Sequence, residues 1–126
     1  MSTLVVSNIS DGTTTVPATY VTNGSAKAWV NFNGTGTIAA RDSLNLSSLT
    51  DNGGGQYAIN FSSAFGAADY SAVGMVVRSS IAGNGIQIAT STAPSTTSIS
   101  VETFRTQDGA ITDREIVCLN VNGDLA

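Results

Sequence analysis

The strongest signal along the chain is strict alternation of apolar and polar residues in short runs, the period-two pattern of half-buried β-strands. Between Ala26 and Phe32, residues Ala28, Val30 and Phe32 share one face, while Lys27, Trp29 and Asn31 share the other. Tyr57, Ile59 and Phe61 alternate in the same way, and Ile99, Val101 and Thr103 alternate against Ser100, Glu102 and Phe104. Ser43–Thr50 reads as a strand presenting Leu44 and Leu46, Tyr70–Arg78 as a long apolar strand, and Ile86–Ala89 as a short one. Glu115–Val121 is the last strand, and Leu4–Ile9 is a strand-like arm joined by a Thr-rich link to Pro17.

Turn residues separate these runs. Asn33–Gly36, Asp51–Gly55, Gly83–Gly85 and Asn122-Gly123 supply the Gly and Asn that tolerate positive φ in tight β-connections. Asp51–Gly55 predicts a hairpin between Ser43–Thr50 and Tyr57–Phe61. Ala64–Ala68 is the one stretch expected to make a helical turn, and Thr90–Thr97 reads as a Ser/Thr/Pro loop. Seven or eight short strands predict an all-β, antiparallel β-sandwich, jelly-roll-like, with a short N-terminal arm. The expected division is residues 1–20 as the arm and 21–126 as the sandwich.

Composition adds one unusual property. Only 11% of the 126 residues are charged, against about 25% in an ordinary soluble domain. Ser, Thr, Asn and Gly take the place of the missing charges, and such a surface keeps a monomer in solution poorly. It suits a surface covered by copies or partners. The net charge is −4, and the basic residues Lys27, Arg41, Arg78, Arg105 and Arg114 are dispersed along the sequence. No nucleic acid partner is expected. No apolar run approaches the roughly 20 residues of a membrane span, and no signal-peptide pattern follows Met1, so no membrane insertion is expected.

Candidate chemistry is sparse. The chain has no histidine, the commonest general base and metal ligand. No serine sits in Gly-x-Ser-x-Gly. Asp108, Asp113 and Glu115 are the nearest carboxylate cluster, with Arg114 among them, but Asp108–Asp113 offers only two carboxylates, too few for calcium, and reads as a solvated hairpin loop. The glycine-rich turns are not followed by a helix carrying a basic residue, so they are not phosphate loops. Asn8, Asn23, Asn33, Asn45 and Asn60 each begin an Asn-x-Ser/Thr triplet, as chance produces in a chain this rich in Ser and Thr. Cys118 is the sole cysteine, so no disulfide forms within the chain, and its apolar neighbours mark it as a small core hydrophobe. Tyr20, Trp29 and Tyr57 are the aromatics available to stack on a sugar, but a lone Trp on an alternating strand reads as core or interface. The expectation is no enzyme, no cofactor and no metal.

One stretch carries a resemblance. Residues 26–38, Ala-Lys-Ala-Trp-Val-Asn-Phe-Asn-Gly-Thr-Gly-Thr-Ile, resemble a module of marine bacteriophage virion proteins, a family of tail-fibre-like structural proteins. The likeness continues through Arg41-Asp42-Ser43, Leu46–Gly53, Tyr57–Phe61 and Ala68-Asp69-Tyr70, and is strong from about Ala26 to Gly74. It weakens in the individual loops Ser80–Gly85 and Ser91–Ser98. The Leu-x-Val-x-x-Ile opening of such proteins is matched by Leu4, Val6 and Ile9.

The resemblance implies a virion surface protein, a homotrimer attached to other virion proteins of the tail or capsid through its N-terminal arm. Leu4, Val6 and Ile9 would then be the assembly arm, and Trp29, Phe32, Tyr57 and Phe61 core or interface aromatics. It brings no catalytic residues. A tail fibre or fibre tip is the leading expectation, a capsid decoration or head-fibre protein the nearest alternative, and a lectin-like module for host surface glycans the reading from another class.

Overall fold

The computed structural model describes residues 1–78 and 83–126. Ten strands and one helix follow in chain order: β1 Asn8–Ser10, β2 Thr15–Pro17, α1 Ala18–Gly24, β3 Ala28–Asn33, β4 Ala39–Leu44, β5 Leu46–Gly53, β6 Gln56–Phe61, β7 Ser71–Val77, β8 Asn84–Ile88, β9 Ser98–Arg105 and β10 Ile116–Asn122. They make a small, mostly-β domain with two four-stranded antiparallel sheets, ordered β4-β3-β10-β7 and β5-β6-β9-β8, and a separate β1-β2 hairpin. The sheets pack face to face around one core, as in a β-sandwich.

The alternations predicted from sequence build that core. Ala28, Val30 and Phe32 of β3 and Val117, Leu119 and Val121 of β10 point inward from the first sheet. Tyr57, Ile59 and Phe61 of β6 meet them from the second sheet, with Ile99 and Val101 of β9. Each such side chain contributes about 1.5–3 kcal/mol through removal from water. Phe32 and Tyr57 pack edge to face across the core with ring centroids 5.2 Å apart. At the opposite end Phe65 lies 4.9 Å from the Phe61 ring and 4.6 Å from that of Tyr70. The Tyr70 hydroxyl lies 3.1 Å from the Ser95 carbonyl and 3.0 Å from that of Ser98, and so ties this plug to the loop before β9.

Four local expectations are corrected. The strand expected over Ser43–Thr50 is two strands in different sheets, because Asn45 adopts φ 57° and swings the chain across. Asn tolerates this left-handed geometry better than other non-glycine residues. Its side chain fixes the corner, accepting from the Ser63 amide at 2.6 Å and donating to the Ser63 carbonyl at 3.0 Å. The helix falls at Ala18–Gly24, after the fixed φ of Pro17 and before extended Ser25, whereas Ala64–Ala68 is irregular and held by a bridge from Phe65 to Leu125. The link expected between Asp11 and Pro17 contains β2, paired back on β1. Cys118 is half-buried on the outer face of its strand, because Val117 and Leu119 take the inward positions.

Candidate interaction surface

Apolar side chains left in water are concentrated at two places. Fifteen large hydrophobics are exposed among the described residues; seven lie within the first 21 residues and five on the outer face of the first sheet. This concentration distinguishes them from the singly scattered exposed hydrophobics of most soluble proteins.

The first place is the N-terminal segment. No residue from Met1 to Ser25 is buried, and only Val16 and Ala18 are partly covered. Leu4, Val6 and Ile9, the expected arm residues, all project into solvent, as do Val5 and Tyr20. Asp11 organises the β1-β2 turn by accepting from the amides of Thr14 at 2.8 Å and Thr13 at 2.9 Å. These bonds, Thr14 first, hold its carboxyl below the usual aspartate range. α1 buries no residue and has no side-chain cap; its end is tied to the body by the Asn122 amide donating to the Gly24 carbonyl at 3.1 Å. A hairpin of two three-residue strands and a seven-residue helix without a buried face have almost no stability of their own.

The second place is the outer face of β4-β3-β10-β7. Register sets Leu44, Trp29, Asn120 and Val73 in one row across the sheet, and Asp42, Asn31, Cys118 and Met75 in the next. Ile116 and Val77 begin a third. A shallow, open depression of about 730 Å³ runs over this face, lined mainly by Trp29, Asn31, Val73, Met75, Ile116 and Cys118. Of the four aromatics singled out from sequence, Trp29 alone lies here; Phe32, Tyr57 and Phe61 lie in the core.

The outer face of the second sheet is polar. Gln56, Glu102 and Gln87 form a row across β6, β9 and β8. The two amides donate to Glu102 at 3.1 and 3.0 Å, and its carboxylate is buried between them. Asn60 donates to Ser48 Oγ at 3.1 Å and to Thr50 Oγ1 at 3.3 Å on the same sheet.

At one end of the sandwich a buried polar cluster joins three connections. Tyr57 Oη lies 2.6 Å from the Gly34 carbonyl and 3.0 Å from Asp113 Oδ1, and this carboxylate oxygen also accepts the Gly55 amide at 2.6 Å. Burial, reinforced by Asp113, pushes the Tyr57 phenol well above its ordinary value. Arg114 is fully buried, with one guanidinium nitrogen donating to the Asp113 carbonyl at 2.9 Å and to Thr112. Burial lowers its pKa, as do the neighbouring Arg78 and Arg105. The sequence reading of Asp108–Asp113 as a solvated hairpin loop is therefore corrected at Asp113. Asp108 does remain at the surface, 2.7 Å from Arg105. Asp113 and Arg114 precede the strand that begins at Ile116, so no period-two pattern in the sequence marks them as inward.

This cluster locks turns together: the Tyr57 hydroxyl and Asp113 Oδ1 are occupied by partners within the fold. Tyr57→Phe is expected to lower stability by about 1–3 kcal/mol, since it strips Asp113 and the Gly34 carbonyl of a buried donor. Urea denaturation followed by tryptophan fluorescence measures this. A change below about 0.5 kcal/mol would mean that the hydroxyl holds neither group.

Among the described residues, no group of three metal-ligating side chains converges, and no helix is long and apolar enough to cross a membrane. No protein-family model, curated protein or solved structure matches the chain. Its function is therefore argued from its surfaces. Of the expected variable loops, Ser91–Ser98 is described, whereas residues 80–82 of the Ser80–Gly85 loop lie outside the described residues.

Proposed function

We propose that the chain is a non-enzymatic structural subunit of a bacteriophage particle, a homotrimeric surface appendage of tail-fibre or fibre-tip type attached through its N-terminal arm. One observation carries the reading: the first 25 residues bury nothing of their own, yet they display Leu4, Val5, Val6, Ile9 and Tyr20. A segment of this kind gains order when another surface covers it. The few charges and hydroxyl-rich exterior support the same use, as does the resemblance of Ala26–Gly74 to phage structural proteins. The jelly-roll-like comparison extends to strand number and layering; the in-sheet hairpins β3-β4, β5-β6 and β8-β9 give this chain a strand order of its own.

A lectin-like reading is favoured by one feature, the amide- and hydroxyl-rich outer face of the second sheet around Gln56, Gln87 and Asn60. That face has donors and acceptors for a sugar but no aromatic platform among the residues named.

Light scattering at micromolar concentration is expected to give three times the chain mass, and a monomer there overturns the assembly reading. Gold-labelled antibody on intact particles then separates two placements: label at the tail supports the fibre, and label over the capsid supports decoration. Glycan-array binding that is lost in Gln56→Ala would support the lectin-like alternative.

A further inference from the structure

The assembly reading leaves open what the arm docks on. The four edge strands of the two sheets differ in how they are protected against pairing with another chain. β4 carries Arg41 and Asp42, and its ladder with β3 is bulged. β5 carries Asp51 and has two irregularities in register. β8 is a short strand of five residues. Charges, bulges and shortness are the usual means of blunting an edge. β7 has none of them. It is seven residues long, Ser-Ala-Val-Gly-Met-Val-Val, with no charge, no proline and unbroken register on its one partner, β10.

The same strand also presents the most exposed part of the apolar face. Val73 is 65% and Met75 74% exposed, and Val77, Ile116 and Leu44 extend the patch. These side chains lie in adjacent register rows and form one apolar patch. An occupant that covers it and also reaches the β7 edge must bring a second apolar surface and backbone bonding groups of its own.

The free part of the arm has those properties. Met1–Ser7 lies outside every ladder, its Ser7 carbonyl accepting the Ala18 amide at 2.9 Å, and Leu4 and Val5 are 85% and 88% exposed. Its side chains carry no charge, and neither do those of β7, so joining the two strands desolvates no side-chain charge. An added strand places alternate residues on opposite faces. In one of its two facings Leu4 and Val6 lie over the Val73–Met75 patch and Val5 turns to the open edge of the sandwich. Among the described residues, no ladder joins residues 1–7 to β7 of the same chain.

We propose that β7 is the acceptor edge for the Met1–Ser7 arm of a second copy, which adds in trans as a further strand of the β4-β3-β10-β7 sheet. This rests on the assembly reading and names its docking site. Arm to edge is a head-to-tail contact, each copy using one donor and one acceptor, and it closes when the last arm returns to the first β7. Main-chain bonds then supply affinity and the alternating pockets supply register.

The test uses the full chain in a Cys118→Ser background, carrying either Leu4→Cys or Val73→Cys. A short bismaleimide is added to the two variants mixed, after reannealing. Peptide mapping is expected to find residue 4 of one variant linked to residue 73 of the other. Met75→Lys, at a residue exposed in the single chain, is expected to weaken self-association at least about tenfold while leaving the unfolding of the monomeric form unchanged. A trimer by light scattering with no 4–73 link and no effect of Met75→Lys overturns the β7 site and leaves the assembly reading standing. A 4–73 link formed only within a chain carrying both cysteines also overturns it. A monomeric wild-type chain removes both.

Discussion

Gly55→Ala is expected to lower the unfolding free energy by about 3 kcal/mol, combining strain of a non-glycine residue at positive φ with overpacking. Gly55 sits at φ 75° in the β5-β6 turn, and a Cβ there would lie 2.7 Å from the Thr112 backbone nitrogen and 2.8 Å from the Thr103 carbonyl oxygen. Both atoms belong to backbone that pairs with itself, Thr112 N donating to Thr103 O at 3.0 Å, so neither yields without breaking that bond. The Gly55 amide is also the donor to Asp113. Moving the turn therefore disturbs the cluster beneath Tyr57. Gly109 is the internal control. It has nearly the same φ, 73°, but open space where its Cβ would be, so Gly109→Ala should cost only about 1 kcal/mol. Thermal unfolding of the pair measures the difference, with Gly55→Ala lowering Tm by about 10 °C. Equal losses would show that positive φ alone, and not close approach, demands glycine at position 55.

How much of this was legible in the sequence depends on burial. Strands β3, β6, β9 and β10 are paired on both sides and covered on one face, so hydrophobic burial writes a two-residue period into them. Their inward sets, from Ala28 to Phe32 and from Tyr57 to Phe61, could be read directly. β4 could not. Every residue of Ala39–Leu44 except Ser43 is exposed, so no apolar alternation records its pairing with β3. α1 is equally silent, since a helix that buries nothing leaves no 3.6-residue period, and its Thr, Val and Asn are indifferent helix formers. The break at Asn45 was hidden for another reason: Leu44 and Leu46 look like one face of one strand until the backbone turns between them.

The candidate surface was half legible. Charge depletion pointed to covered surfaces, and Leu4, Val6 and Ile9 stood out as apolar residues in a polar opening. The β7 face was not visible, because Ser71–Val77 is apolar on both faces and reads as a strand buried twice over. Ala72, Gly74 and Val76 do face inward, but Val73, Met75 and Val77 do not. A strand with the sequence of a central position sits at an edge. In a monomer this mismatch is a liability toward aggregation; in an assembly it is where a neighbour belongs.

Deleting Met1–Val16 should separate folding from assembly. The segment buries none of its side chains, and it meets the rest of the chain through the Ala18 amide donating to the Ser7 carbonyl, a bond within the N-terminal region itself. The anchors nearer the core, Lys27 N to Val121 O at 2.9 Å and Asn122 to Gly24, lie beyond the deletion. The truncated chain should therefore keep intact intrachain packing, with urea unfolding of the monomeric form changed by less than about 0.5 kcal/mol. Its mass by light scattering should fall about threefold, from trimer to monomer. The two readouts pull apart the roles a terminal segment can have. If the truncated chain unfolds, the β1-β2 hairpin supports the sandwich from outside. If it stays trimeric, another surface holds the copies together and the exposed Leu4, Val5 and Val6 serve a different partner. Loss of the trimer with an intact fold is the outcome that an arm exposed along its whole length predicts.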